Sequence, residues 1–178
     1  MKLITERLIL RPWREEDLEP FAAMSADPEV MQWLGGVITS DGAAAYMARA
    51  KLSFATSGMG RFAIERRDDG AFIGSCGLMP GRPSIPIAPY IDIGWRLTRR
   101  AWGAGYASEA AAAVLSDGFD RLRPREIAAV TAAINLRSRA VMDRLGMTWD
   151  KARDFDDPAH ALDDPQRRTV VYSARALA

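Results

Sequence analysis

Tyr90-Ile91-Asp92-Ile93-Gly94-Trp95-Arg96-Leu97-Thr98-Arg99-Arg100-Ala101-Trp102-Gly103-Ala104-Gly105-Tyr106-Ala107 joins two periodicities. Ile91, Ile93, Trp95 and Leu97 alternate with Asp92, Gly94 and Arg96, the period-two pattern of a strand. Beyond Gly105 the apolar positions become Ala107, Ala110, Ala111, Val114, Leu115, Gly118, Phe119 and Leu122, which follow helical spacing. Gly103 and Gly105 remove side chains where the strand turns into the helix. The amides of Gly103, Ala104, Gly105, Tyr106 and Ala107 can then point outward together. Unpaired amides at a helix start, with the positive end of the dipole, make an anion site. Arg99 and Arg100 add charge beside it, and a pyrophosphate fits this description. The competing reading is a glycine-rich turn that only reverses the chain. Two other phosphate loops fail: no Lys-Ser/Thr pair follows the second glycine, and the third glycine and early βαβ unit of a dinucleotide site are missing.

On the N-terminal side, Phe62-Ala63-Ile64-Glu65 and Phe72 to Leu78 read as strands joined by the hairpin turn Asp68-Asp69-Gly70. Pro80 to Pro89 is too proline-rich to enter a sheet interior. Leu8 to Arg11 is a further strand, closed by Pro12. A helix is expected from Glu15, a short one after the cap Asp27-Pro28, and a longer one capped by Ser40 and ended by Gly58. On the C-terminal side, Ile127 to Thr131 is a buried strand, Ser138 to Leu145 a helix face stopped by Gly146, and Thr169 to Tyr172 a last strand. Asp154 to Pro165 reads as a surface loop. The pattern predicts an α/β domain of the α+β type, 1–178 as one unit, with helices flanking a mixed, mostly antiparallel sheet.

Composition sets outer bounds. Of 178 residues, 48% are hydrophobic and 26% charged, an ordinary globular mixture. Twenty-four basic residues against 23 acidic ones give net charge +1, so nothing points to nucleic acid or to a polybasic membrane anchor. The N-terminus meets charge too soon for a signal peptide, and no apolar run could span a bilayer, so the expected location is cytoplasmic. The single cysteine, Cys76, excludes a disulfide framework and a multi-cysteine metal site, and no metal is expected.

Arg100-x-x-Gly103-x-Gly105 resembles the Gln/Arg-x-x-Gly-x-Gly/Ala signature of the GNAT superfamily of N-acetyltransferases. Asp92-Ile-Gly94-Trp95-Arg-Leu, Trp102-Gly-Ala-Gly-Tyr106-Ala-Ser-Glu109 and Asn135-Leu-Arg-Ser138-Arg to Met147 resemble the branch containing ribosomal-protein N-terminal acetyltransferases. So does the opening Thr5-Glu6-Arg7-Leu8 to Pro12. The resemblance runs along nearly the whole chain. It implies acetyl-CoA as co-substrate, with the strand backbone at Trp95 and Leu97 pairing with the pantetheine arm. It implies that Arg100 to Ala107 hold the pyrophosphate, that Asn135 contacts the coenzyme, and that Ser138 lies near the thioester sulfur. Arg139 is implied at a phosphate. Trp33, beside Gly35-Gly36, falls where the family forms its acceptor cleft.

An amine attacking a thioester must be neutral, so a base has to accept its proton. Asp92, on the polar face of the strand, is the candidate base, where related sequences carry Glu. The alternative is a structural carboxylate paired with a neighbouring Arg. Ser138 is the candidate for steadying the departing thiolate, against an ordinary early-helix serine. Met142 stands where many relatives place a tyrosine acid, which leaves Tyr90 and Tyr106 as replacements. Cys76 reads as a buried hydrophobe and His160 as a solvated loop residue. The tryptophans are core by default. The expected activity is transfer of acetyl from acetyl-CoA to a primary amine, on a small molecule or a protein N-terminus, in a ternary complex. The alternative is an idle acyl-CoA-binding domain. A nucleotide-binding domain without acyl chemistry lacks its phosphate-reading Lys. A homodimer is left open.

Overall fold

Alternating apolar residues put Ile64, Cys76, Leu78, Ile93 and Leu97 on one face of a sheet, and these pack under Ala110, Ala111 and Val114. A computed structural model describes residues 1–176. Its strands are β1 (Leu3–Ile4), β2 (Leu8–Arg11), β3 (Arg61–Arg66), β4 (Phe72–Pro80), β5 (Ile91–Leu97), β6 (Glu126–Ala132), β7 (Thr148–Trp149), β8 (Phe155–Asp156) and β9 (Arg168–Arg175). The helices are α1 (Leu18–Ser25), α2 (Pro28–Met31), α3 (Ser40–Ser57), α4 (Tyr106–Leu122) and α5 (Leu136–Arg144). The sheet runs β1-β2-β3-β4-β5-β6-β9-β7, with β8 also on β9. Every pairing is antiparallel except β5 with β6. The mixed, mostly antiparallel α/β reading therefore holds.

The exception positions the site. β5 and β6 run parallel and meet at one register pair, Asp92 with Ala128. β4 and β5 keep register from Gly74–Leu97 to Pro80–Ile91. Thr98 N–H donates to Ile73 O (2.9 Å) and Tyr90 O accepts from Gly81 N–H (2.8 Å). By alternation the even-numbered residues of β5 bond toward β4, and the backbone of Trp95 and Leu97 faces β6. Past Asp92, β6 has already diverged. A wedge opens there, with unpaired strand backbone along one wall.

One face of the sheet carries α4. The other carries α1 and α3 over a second cluster of Trp13, Phe21, Met24, Met47 and Ala63. Gly118 lets α4 lie close, since a Cβ there would meet Leu78 Cδ1 at 2.6 Å.

Three sequence expectations are corrected. The chain from Glu15 first makes a 3-10 turn, Glu15–Asp17, and the α-helix begins at Leu18. Asp17 turns inward because Arg11 is buried beside it, at 2.7 and 2.9 Å. The cap of α3 is Thr39, whose Oγ1 accepts from Gly42 N–H at 3.2 Å, and Ser40 is the first helical residue. The stretch Asp154 to Pro165 contains β8, and Asp157 is buried against Arg82. Asp27, Gly58 and Gly146 cap or end their helices as expected.

Candidate active site

At the end of β5 the chain makes a 3-10 turn, Arg99–Ala101, then passes through Gly103 (φ +77°) and Gly105 (φ +82°) into α4. A Cβ at Gly103 would meet nothing within 4 Å, so backbone conformation rather than space calls for glycine. The first intrahelical bond is Glu109 N–H to Gly105 O at 3.1 Å. The amides of Gly105, Tyr106, Ala107 and Ser108 thus precede the ladder and have no helical acceptor. Ser108 Oγ is buried beside them with no hydrogen-bond partner among the described residues.

This loop is braced by the N-terminal segment. Glu109 accepts from Thr5 Oγ1 (2.6 Å), Arg7 N–H (2.8 Å) and Arg7 Nε (2.7 Å). Arg7 Nη1 donates to Ala104 O at 2.9 Å, and its guanidinium lies 4.6 Å from the Tyr106 ring. Burial pushes the Glu109 carboxyl up, but the bonds from Thr5 and Arg7 outweigh it and hold the group below its ordinary range.

A cavity of about 1260 Å³ runs from this loop through the wedge to the other side of the sheet. Of the residues singled out in the sequence, Trp33, Asp92, Trp95, Leu97, Gly103, Ala104, Gly105, Tyr106, Ala107, Asn135 and Ser138 all line it. Asn135 caps α5: its Oδ1 accepts from Ser138 N–H (3.3 Å), and its Nδ2 donates to Thr131 Oγ1 (2.8 Å) and Ser138 Oγ (3.1 Å). Three others are not part of the wall. Arg99 is ion-paired with Asp27 (2.7 Å) and Glu29 (2.5 Å). Arg139 bonds Ala133 O at 2.9 Å and lies 4.5 Å from the Trp149 ring. Arg100, on the 3-10 turn, is exposed outside the cavity.

Asp92 lies on the face of β5 opposite α4, with Gly94 and Arg96. Its Oδ2 is held by Arg61 Nη2 at 2.5 Å, and 19% of its side chain stays exposed to the cavity. Burial pushes the carboxyl above its ordinary range, against the pull of Arg61 and Arg82. Arg61 also donates from Nη1 to Gly77 O. Gly94 makes room for it, because a Cβ there would come 2.6 Å from Arg61 Nη1. The paired-carboxylate reading of Asp92 is thus realised in contact, while Oδ1 keeps no partner among the described residues. Arg61, Arg96 and Tyr46 complete this end of the cavity without having been singled out in the sequence.

Cys76 is buried in the main core, and burial pushes its thiol up to about 12, which makes it inert as a nucleophile. Met142 is buried too. His160 bonds Asp164 at 2.8 Å in the C-terminal loop. No group of three or more His, Cys, Asp or Glu among the described residues could hold a metal. No described helix is long and apolar enough to cross a membrane.

A strand end thus opens onto glycine-spaced amides, with a split sheet beside it. Residues 7–148 match the acetyltransferase (GNAT) domain family, and the chain belongs to that family. The FsC-acetyl coenzyme A-N(2)-transacetylase of Aspergillus fumigatus is 30% identical over 177 residues, covering 95% of this chain and 75% of that protein. An acetyltransferase from Agrobacterium tumefaciens superposes with TM-score 0.80 at 27% identity, covering 99% of this chain and 95% of the other. The ribosomal L7/L12 α-N-protein acetyltransferase RimL, solved with coenzyme A, shares the fold at TM-score 0.81 and 16% identity, over 98% of each chain. The protein is an acetyl-CoA-dependent N-acetyltransferase.

Proposed function

We propose that residues 1–178 act as one acetyltransferase domain in which Asp92 is the base for an amine entering from the Trp33 side. Acetyl-CoA would lie in the wedge, its pyrophosphate on the amides from Gly103 to Ser108 and its pantetheine along Trp95 and Leu97. The observation that carries this reading is the continuity of the cavity. It joins the amide cluster, the open strand edge and the free Oδ1 of Asp92 in one space.

The chemistry follows from those groups. The ammonium of the acceptor gives a proton to Asp92 Oδ1, directly or through one water. Its freed lone pair attacks the thioester carbon, forming the C–N bond. The carbonyl oxygen gains charge and takes a hydrogen bond from a β5 backbone N–H facing the wedge. The C–S bond then breaks, the thiolate leaves toward Ser138 Oγ, and the extra proton still on the attacking nitrogen passes to the sulfur, directly or through water, which leaves a neutral amide and the free thiol. Desolvation of Asp92 favours this sequence, because a carboxylate pushed up in pKa is the stronger base. The base must be ionised to act, so turnover rises as pH increases through the raised Asp92 value.

Whether the acceptor is a protein N-terminus, as for RimL, or a small molecule turns on what the Trp33 end admits. The test of the base is Asp92→Asn. It should lower kcat about 100-fold, the lower end of general-base contributions, with acetyl-CoA affinity unchanged by calorimetry. Full activity in that variant would remove Asp92 from the mechanism.

A further inference from the structure

Five arginines line the cavity: Arg137 and Arg144 on α5, and Arg61, Arg82 and Arg96 on the strand side, where two of the three are matched by carboxylates. These three are contributed by β3, β5 and the loop after β4. Arg61 is paired with Asp92, and Arg82 with Asp157. Glu29, across the cavity, is paired with Arg99. Arg96 has no carboxylate within ion-pair distance among the described residues. Its Nη1 reaches only Ser25 Oγ, at 3.3 Å, and its Nε is buried with no partner. Its guanidinium is held by the rings of Tyr46 (5.1 Å) and Phe21 (5.5 Å). Burial pushes its pKa down, and the Arg61 charge adds to that.

A guanidinium fixed on aromatic faces beside a second guanidinium, and left without a counter-ion, is costly by itself. The same arrangement is preorganised for a planar anion, since aromatic packing removes the rotamer freedom an arginine would otherwise lose on binding. Asp92, Gly94 and Arg96 share one face of β5, so the lone cation sits on the same wall as the base. Their Cα atoms are four residues apart, roughly 13 Å along a strand. Gly94 keeps the wall between them low.

We propose that the amine acceptor carries a carboxylate and that Arg96 binds it while Asp92 receives the amine. This rests on the acceptor entering at the Asp92 end. The spacing favours an acceptor whose amine and carboxylate are several bonds apart over a compact α-amino acid. The carboxylate can belong to a free amino acid or to an acidic side chain near a peptide N-terminus.

Thiol release from acetyl-CoA tests this on matched amines. One arm pairs glycine, β-alanine, 4-aminobutyrate and 6-aminohexanoate with their amides. The other pairs amidated peptides starting Ala-Glu and Ala-Asp with Ala-Gln and Ala-Asn. The carboxylate member should be preferred at least tenfold in kcat/KM in the arm that holds the acceptor. Arg96→Gln should erase that ratio, mainly through KM, and Arg96→Lys should keep part of it. An equal ratio in the wild type, a ratio that survives Arg96→Gln, or no reaction with any carboxylate-bearing amine overturns the proposal. Asp92→Asn lowers kcat for both members of a pair alike, so failure of the base assignment reads differently from failure of the anchor.

Discussion

At the residue scale, Ser138 has an asymmetric hydroxyl. It accepts from Asn135 Nδ2 and donates to nothing in the described protein, so its proton is free for an acceptor in the cavity. If that acceptor is the leaving thiolate, Ser138→Ala loses a hydrogen bond made in the transition state. A loss of about 1.4 kcal/mol corresponds to a roughly tenfold drop in kcat, with KM for acetyl-CoA little changed. Steady-state kinetics at saturating acetyl-CoA would show it, and an unchanged kcat would return Ser138 to a capping role. Asp92 and Ser138 could be picked out of the sequence because each sits at a fixed offset from a patterned element. Arg61 could not. Its bond to Asp92 spans 31 positions, and only the β3–β4–β5 register brings the two together. Arg96 was hidden differently: in an alternating strand it reads as a polar residue facing water. Arg99 and Arg139 looked like phosphate ligands because nothing in their spacing reveals Glu29 or Trp149.

At the scale of elements, the start of α4 depends on left-handed backbone. Gly105→Ala places a Cβ at φ +82°, a cost of about 1–2 kcal/mol that the loop can relieve only by rotating its amides. The expected result is a KM for acetyl-CoA raised about tenfold, with kcat changed less. Gly70→Ala is the control. Its φ is +71° and an added Cβ would meet nothing within 4 Å, but it lies in the β3–β4 turn, so it should lower thermal stability without moving KM. The glycine turn, the hairpin and the long helices were legible because their signals are local. The strands Leu3–Ile4, Thr148–Trp149 and Phe155–Asp156 were not. Two residues are too few for a period, and these strands exist only because β2 and β9 offer them edges.

At the scale of the molecule, the ionised groups divide by sign. Asp17, Glu109, Glu126 and Asp157 are all held below their ordinary ranges: burial opposes this in each, and hydrogen bonds from arginines, threonine or backbone N–H groups outweigh it. Such groups stabilise the fold above their unfolded values, near pH 4, and that stability is lost as pH falls through the lower folded values. Asp92 has the opposite sign: its contribution is present below the unfolded value and lost as pH rises through its raised folded value. Asp17→Asn, which breaks the buried pair with Arg11, should cost about 3 kcal/mol at pH 7 and progressively less as pH falls from the unfolded value through the lowered folded one. Urea unfolding across that range would measure both. The single β5–β6 bridge has a mechanical consequence. β1–β5 and the β6–β9 half join at Asp92 and Ala128 and part toward Leu97 and Ala132. A pantetheine arm laid along β5 then fills that gap as a shim, so the second substrate meets a finished mouth only after the first is seated. Addition should therefore be ordered, acetyl-CoA before amine.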